Sequence, residues 1–226
     1  MAIITFSLQS DLTQATIETL YLLLISFLIS LPLGTIVGFI LALYGKNRPY
    51  QNKWIASFLS ISVSIIRSIP FILLMILIIP VSYTLFGTSI GFIPSILSLS
   101  LIGIATVARL VEQSIIDLNP YIFDLAYAYG ASKFQLFRYF IFKEAKSSLI
   151  LGYTSSLISL LAYSTVVYII GGGGLGFTAI QMGYYSPVGE ELMWFSIIII
   201  ILLVQFIQLL GSILANHYNK KKKKGL

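Results

Sequence analysis

The chain has no cysteine, and only 10% of its residues are charged. The lack of cysteine excludes disulfide bonds and any metal or redox site that needs a thiolate. We interpret the single histidine, His217, as a polar residue near a helix end, because no histidine or cysteine could share a metal with it. Soluble domains carry about 25% charged residues. Since 58% of the 226 residues are hydrophobic, the sequence predicts an all-α polytopic membrane protein.

Catalytic and nucleotide-binding patterns are also missing. No Ser–His–Asp arrangement and no pair of carboxylates lies within an apolar stretch, so no catalytic residue is predicted. No Asp or Glu lies deep in such a stretch, whereas carriers coupled to protons or sodium usually hold one there. Residues 171–176 (GGGGLG) formally match a dinucleotide-binding pattern, but that pattern needs a preceding β-strand. An apolar stretch precedes these glycines, and we interpret them as a flexible outer turn.

Five apolar stretches approach the length of about 20 residues that a membrane-spanning helix needs. The predicted spans are 19–44, 57–79, 93–110, 149–170 and 193–214, which together form one transmembrane domain over residues 19–214. Residues 1–18 lack the basic region and cleavage pattern of a signal peptide, so the first span is predicted to be retained. Gly34, Gly38 and Ala42 repeat at intervals of four and predict a ridge where another helix approaches closely.

The basic residues predict the orientation. Most of the 14 Lys and Arg residues lie after the first span, after the third span and in the tail 215–226 (Lys46, Arg48, Lys53; Lys133, Arg138, Lys143, Lys146; Lys220–Lys224). The positive-inside rule therefore places residues 1–18 outside and the C-terminus in the cytoplasm of a bacterial cell. This rule accounts for the net charge of +6 without a nucleic-acid partner. The lysine tail is interpreted either as a topology anchor or as a segment that attracts anionic membrane lipid.

The segment 119–146 is predicted to form two short cytoplasmic helices that meet at a bend. Asn119 and Pro120 suit the start of the first helix, and Asp124 in its first turns suits the helix dipole. Gly130 allows a left-handed bend. Aromatic and aliphatic residues then recur at helical spacing and predict one apolar docking face: Phe134, Phe137, Phe140 and Ile141.

Polar residues within the spans allow two interpretations each. Arg67 lies inside the second span. It is either an anchor that snorkels to the interface, or a residue that lines a solute path or pairs with the third span near Glu112. Two polar stripes lie on single helix faces: Ser156, Ser159 and Tyr163 in the fourth span, and Gln205 and Gln208 in the fifth. They either line a route for a small solute or join helices through hydrogen bonds.

The spacing of Asp124, Ala126, Gly130 and Ala131, followed by Gln135-Leu-Phe137 and Phe140-Ile-Phe142, resembles the EAA loop of ABC importer permeases. Asp124 takes the place of the usual Glu, and Leu125 that of the first Ala. Lys143 stands where proline is usual, so the second helix can run on into Glu144 and Ala145. Further motifs resemble the permeases of methionine-uptake ABC importers: 67–71 (RSIPF), 79–80 (IP), 87–91 (GTSIG), 108–112 (ARLVE) and 173–176 (GGLG).

This resemblance implies the transmembrane fold of type I ABC importers and a homodimer in the cytoplasmic membrane. It further implies two separate ATPase subunits that bind ATP and Mg and dock on the loops, and a lipoprotein that delivers methionine from outside. The chain itself would bind no cofactor and hydrolyse nothing. Three alternatives remain: a permease for another amino acid or small solute, a stand-alone carrier or channel, and a membrane assembly factor that transports nothing.

Overall fold

The computed structural model describes residues 2–45, 50–186 and 189–219, with side chains from Asp11 onward and without that of Lys133. These residues form α-helices and helical turns, and no strand occurs among them, so the predicted all-α class is confirmed. The α-helices are α1 Ala2–Tyr44, α2 Lys53–Ser68, α3 Phe71–Phe86, α4 Phe92–Ile116, α5 Tyr121–Ala128, α6 Lys133–Gln135, α7 Phe142–Ser164, α8 Gly174–Phe177 and α9 Glu190–Tyr218. Two π-helical turns, Leu136–Ile141 and Thr178–Tyr184, and a 3₁₀ turn, Val167–Ile170, complete them.

Three helices in the described part of the chain are long and apolar enough to cross a membrane: Asp11–Tyr44, Phe92–Ile116 and Glu190–Tyr218. They contain the predicted spans 19–44, 93–110 and 193–214. The predicted fourth span, 149–170, corresponds to α7, which ends earlier, at Ser164, and does not reach the same apolarity. Serine, threonine and tyrosine side chains dilute its apolar surface, so its role as a span stays a prediction.

The predicted second span, 57–79, is not one continuous helix. It is divided between α2 and α3, whose axes meet at 110° across a short break. Ile69 at the break is extended, with φ −78° and ψ 124°. Pro70 explains this, because its ring disfavours a helical conformation at the preceding residue and it has no N–H to donate. The two helices therefore form either a broken span or a re-entrant loop.

Helix α1 packs closely along α4 because glycines lie between them. A Cβ atom on Gly34 would lie 2.6 Å from the Cβ of Val107, and one on Gly38 would collide with the carbonyl oxygen of Ala108. Earlier along α1 in the same interface, the Ser30 hydroxyl lies 3.1 Å from the carbonyl oxygen of Ser100. The small-residue ridge predicted from the sequence is thus a helix–helix contact.

The ends of the helices gather into two opposite groups. At one end, the Gly91 N–H donates to the Ile170 carbonyl at 2.7 Å. At the other end, the Lys146 ammonium lies 3.3 Å from the centre of the Tyr218 ring. That second end also carries Lys53, while Lys46, Arg48 and Lys220–Lys224 lie outside the described residues. Which end faces the cytoplasm stays a prediction of the positive-inside rule.

The glycine run 171–176 is packed and hydrogen-bonded, which corrects its interpretation as a flexible turn. The carboxylate of Glu18 in α1 accepts the Gly174 N–H at 2.9 Å, and the Thr19 hydroxyl accepts the Leu175 N–H at 2.9 Å. Gly174 has φ +80°, and a Cβ on Gly172 would lie 2.5 Å from the Ser95 hydroxyl. Glycine is required here because the chain turns left-handed in direct contact with its neighbours.

Candidate functional site

The segment between α4 and α7 folds as a helix, a tight turn and a second helix. The first helix, α5, starts where Asn119 accepts the Tyr121 N–H through its side-chain oxygen at 3.1 Å. Pro120 is already helical, with φ −52° and ψ −32°, and Asp124 lies in the first turn. These positions agree with the predicted helix start and place a negative charge near the positive end of the helix dipole.

The spacing of Ala126, Gly130 and Ala131 forms a Schellman turn at the end of α5. Gly130 is left-handed, with φ +63°. Its N–H donates to the Tyr127 carbonyl at 2.9 Å, and the Ala131 N–H donates back to the Ala126 carbonyl at 3.0 Å. This pair of bonds satisfies carbonyl groups that the helix end would leave free. The motif residues therefore set the bend, and Ala126 itself is buried.

The second helix starts with a capping box that the sequence interpretation missed. The Ser132 N–H donates to the Gln135 side-chain oxygen at 2.8 Å, and the Gln135 N–H donates to the Ser132 hydroxyl at 3.3 Å. Ser-x-x-Gln is the sequence pattern for this arrangement. The helix then widens into the π-helical turn Leu136–Ile141 and continues without a break into α7. The expectation that it runs on past Lys143 is therefore correct.

The four residues of the predicted apolar docking face do not form one exposed surface. Only Phe134 is well exposed, at 71%, whereas Ile141 is 0% exposed. Phe137 and Phe140 are half-buried, and the Phe137 ring packs edge-on against Phe39 of α1 at 4.6 Å. The prediction assumed regular α-helical spacing, but a π-helical turn has more residues per turn and rotates later side chains to another face.

The exposed face of this segment lies mainly on α5. Its residues at positions i, i+3, i+4 and i+7 point away from the protein: Tyr121, Asp124, Leu125 and Ala128. Tyr121 is 76% exposed and Leu125 is 52% exposed, and Tyr127 and Tyr129 extend the apolar area. We call Tyr121, Asp124, Leu125 and Ala128 the outer face of α5. Such an exposed apolar surface typically marks a binding site for another protein.

The inner face of the same segment joins three long helices. Phe123, Ala126, Leu136 and Ile141 share one buried core with residues of α1, α4 and α7: Ala42, Leu43, Val107, Val111, Ile115, Ala145 and Leu149. Protein interiors are close-packed and transmit displacement rather than absorb it. A force applied to the outer face of α5 therefore reaches all three helices.

Arg67 does not pair with Glu112, contrary to one of the two interpretations. Glu112 accepts a hydrogen bond from Arg109, with 2.6 Å between Nη1 and Oε2. Arg109 also donates through Nη2 to the Ser64 hydroxyl of α2 at 3.3 Å. Arg67 lies in the last turn of α2 with its side chain exposed. It makes no ion pair within the part of the chain that the structure describes.

The two predicted polar stripes are not brought together within one chain. Ser156 is buried with no partner for its hydroxyl among the described residues. Ser159 donates to the Ser155 carbonyl of its own helix at 2.9 Å. The Tyr163 ring lies 4.8 Å from that of Phe71. Gln205 and Gln208 lie on the exposed surface of α9 instead.

Comparisons with known proteins identify a family that the chain matches. Residues 30–224 match the family described as binding-protein-dependent transport system inner membrane component. The chain is 37% identical over 207 residues to a probable D-methionine transport system permease protein of Haemophilus influenzae, covering 92% of this chain and 97% of that protein. It is 32% identical over 212 residues to a methionine import system permease protein of Bacillus subtilis, covering 94% and 95% respectively.

Two solved structures resemble the fold. A chain of the MetNI methionine ABC transporter, in an inward facing conformation, superposes with a TM-score of 0.90 at 29% identity, covering 94% of this chain and 98% of that chain. A chain of an amino acid ABC transporter with histidines superposes with a TM-score of 0.77 at 19% identity, covering 96% and 97%. The second similarity concerns the fold alone.

Proposed function

Since the chain belongs to the family of binding-protein-dependent transport system inner membrane components, we propose that it is the permease subunit of an ATP-driven importer of methionine. A member of this family is a multi-pass membrane protein with the transmembrane fold of type I ABC importers. It is a transport component rather than an enzyme. The observation that carries the methionine assignment is the near full-length similarity to methionine permeases at 37% and 32% identity.

In this proposal the outer face of α5 fills a groove on a separate ATPase subunit, which binds ATP and Mg. The support is geometric, since large apolar side chains are exposed on one side of α5 while its other side is fixed in the core shared with α1, α4 and α7. Closure of an ATPase dimer would move the two copies of α5 and thereby the long helices. The solute path would open alternately to the two sides of the membrane.

The complete importer would contain two copies of this permease, two ATPase subunits and a methionine-binding lipoprotein. The basic end of the bundle, which carries α5, would face the cytoplasm, and the end with the glycine run 171–176 would face the lipoprotein. Either enantiomer of methionine fits this assignment, because one relative is named for D-methionine and the other for methionine.

The substrate can be tested by uptake in cells that lack their own methionine importers. Cells that express the permease with its ATPase and lipoprotein should accumulate labelled methionine, and unlabelled L- or D-methionine should compete better than other amino acids. In a matched control, the same three proteins are expressed with the phosphate-binding lysine of the ATPase replaced. This change should abolish accumulation. Equal competition by a polar amino acid would instead support the alternative of a permease for another small solute.

A further inference from the structure

Helix α2 carries an exposed flank and, beside it, a second flank that is half-buried at Ser60 and Ser64. One flank is aromatic and aliphatic, with Trp54, Phe58, Ile61 and Ile65 at intervals of four and three. The other is polar at the same intervals and contains Ser57, Ser60, Ser64 and Arg67. We call these four the polar lane of α2. The apolar flank suits lipid, whereas the charge of Arg67 in the polar lane suits water or protein.

The polar lane ends in a cluster of charged groups. Arg109 of α4 lies against it, with Nη2 at 3.3 Å from the Ser64 hydroxyl, and holds Glu112 at 2.6 Å through Nη1. Arg67 follows Ser64 by three residues, so the two side chains are neighbours about 5–6 Å apart at their Cβ atoms. Two guanidinium groups and one carboxylate leave this cluster with a net positive charge.

Arg67 lies far along α2 from the end of the bundle that carries Lys53. The two residues are about 21 Å apart at the rise of an α-helix, which places Arg67 within the predicted span 57–79 of a hydrocarbon layer about 30 Å thick, with its side chain exposed on the single chain. A charged side chain at such depth almost always faces a water-filled cavity or a bundle interior and marks the path of a solute. Arg67 has no anionic partner among the described residues, so its guanidinium can receive one from a solute.

We propose that Arg67, beside the Arg109–Glu112 pair, forms a transit site for the carboxylate of an α-amino acid, reached along the polar lane of α2. A guanidinium binds a carboxylate through two parallel hydrogen bonds. Glu112, whose carboxylate is held by Arg109, would accept the solute's ammonium group. This inference rests on the proposed amino-acid import, and it assigns α2 rather than α7 or α9 to the path.

The polar lane can be tested without any substrate, because the chain contains no cysteine. Ser57→Cys, Ser60→Cys and Ser64→Cys are prepared in the complex with the ATPase, with Phe58→Cys and Ile61→Cys as matched neighbours on the apolar flank. A cationic methanethiosulfonate reagent is applied to nucleotide-free membranes. The fraction of permease that still carries a free thiol is then measured on the permease band of a gel. Only a thiolate reacts, and it forms only in contact with water. Cysteines in the polar lane should therefore react about tenfold faster, or more, than those on the apolar flank. Equal rates on both flanks would overturn the proposal.

The charge of Arg67 is tested by uptake per ATP hydrolysed in proteoliposomes of the complete importer. Arg67→Gln should lower this ratio about tenfold or more, as expected for the loss of a hydrogen bond from a charged group. Arg67→Lys should give an intermediate ratio, because lysine keeps the charge but not the paired hydrogen bonds. Uptake per ATP equal to the wild type in Arg67→Gln would overturn the inference. If the wild type imports another amino acid instead of methionine, that amino acid is the substrate used, and the proposed methionine assignment fails separately. If the Arg67→Gln permease does not assemble with its ATPase, the labelling rates of the cysteine variants test the proposal instead.

Discussion

Replacing Tyr121 by alanine tests the outer face of α5 without touching the core. Tyr121 is 76% exposed, and an aromatic side chain buries about 200 Å² when it is fully covered. A partner that covers the ring would therefore remove about 150 Å² from water, which is worth at most about 4 kcal/mol at about 25 cal/mol per Å². Only part of that appears as binding free energy, because association orders the side chains of both partners.

We expect Tyr121→Ala to weaken docking of the ATPase by about 2 kcal/mol, or about 30-fold in the dissociation constant, as for a hot-spot residue. The assay is titration of purified ATPase onto permease in nanodiscs. Tyr185→Ala is the matched control, because Tyr185 is 68% exposed but lies near the end of the bundle opposite α5. Unchanged affinity in Tyr121→Ala, or an equal loss in both variants, would refute the assignment of α5 as the docking surface.

Three further sets of substitutions test the bend at Gly130, the packing of Phe137 and the glycine run 171–176. Gly130→Ala and Gly87→Ala both force alanine to a positive φ in open space. Each should cost about 1–2 kcal/mol of stability in a thermal unfolding assay. Only Gly130→Ala should weaken ATPase docking, and equal docking of the two variants would contradict the role of the bend. Phe137→Ala should lower the unfolding midpoint more than Phe134→Ala, since only Phe137 packs against a helix of the bundle; the reverse order would contradict the corrected docking face. Glu18→Ala should destabilise the glycine run by about 1.5–3 kcal/mol, because the Glu18 carboxylate accepts the Gly174 N–H. Hydrogen exchange at the Gly174 N–H should rise, and unchanged exchange there would contradict that bond.

Much of the fold follows from local rules that the sequence displays. Gly130 had to turn the chain because only glycine takes a left-handed conformation at little cost, and the ridge at Gly34 and Gly38 had to meet another helix closely. The break at Pro70 was less predictable. Proline is tolerated inside membrane helices, as Pro32 and Pro80 show within α1 and α3, so its presence alone does not distinguish a kink from a 110° bend.

The candidate site was harder to predict, because burial depends on tertiary packing. No sequence pattern marks the π-helical turn Leu136–Ile141, which turns Phe137 and Ile141 toward the core. Helical spacing does predict the outer face of α5, since Tyr121, Asp124, Leu125 and Ala128 share one side of a helix. The same spacing applied to α2 predicts its polar lane, but a serine-rich stripe in an apolar segment is equally typical of helix packing.

The proposed import is tested most directly by methionine accumulation with purified components in proteoliposomes. We expect labelled methionine to accumulate against its gradient only when the permease, its ATPase, the lipoprotein and Mg-ATP are all present. Permease alone should carry little methionine, even under an imposed proton or sodium gradient. Gradient-driven flux through the permease alone would contradict the account and identify the chain as a stand-alone carrier. ATP hydrolysis by the full complex without any methionine transport would contradict it as well.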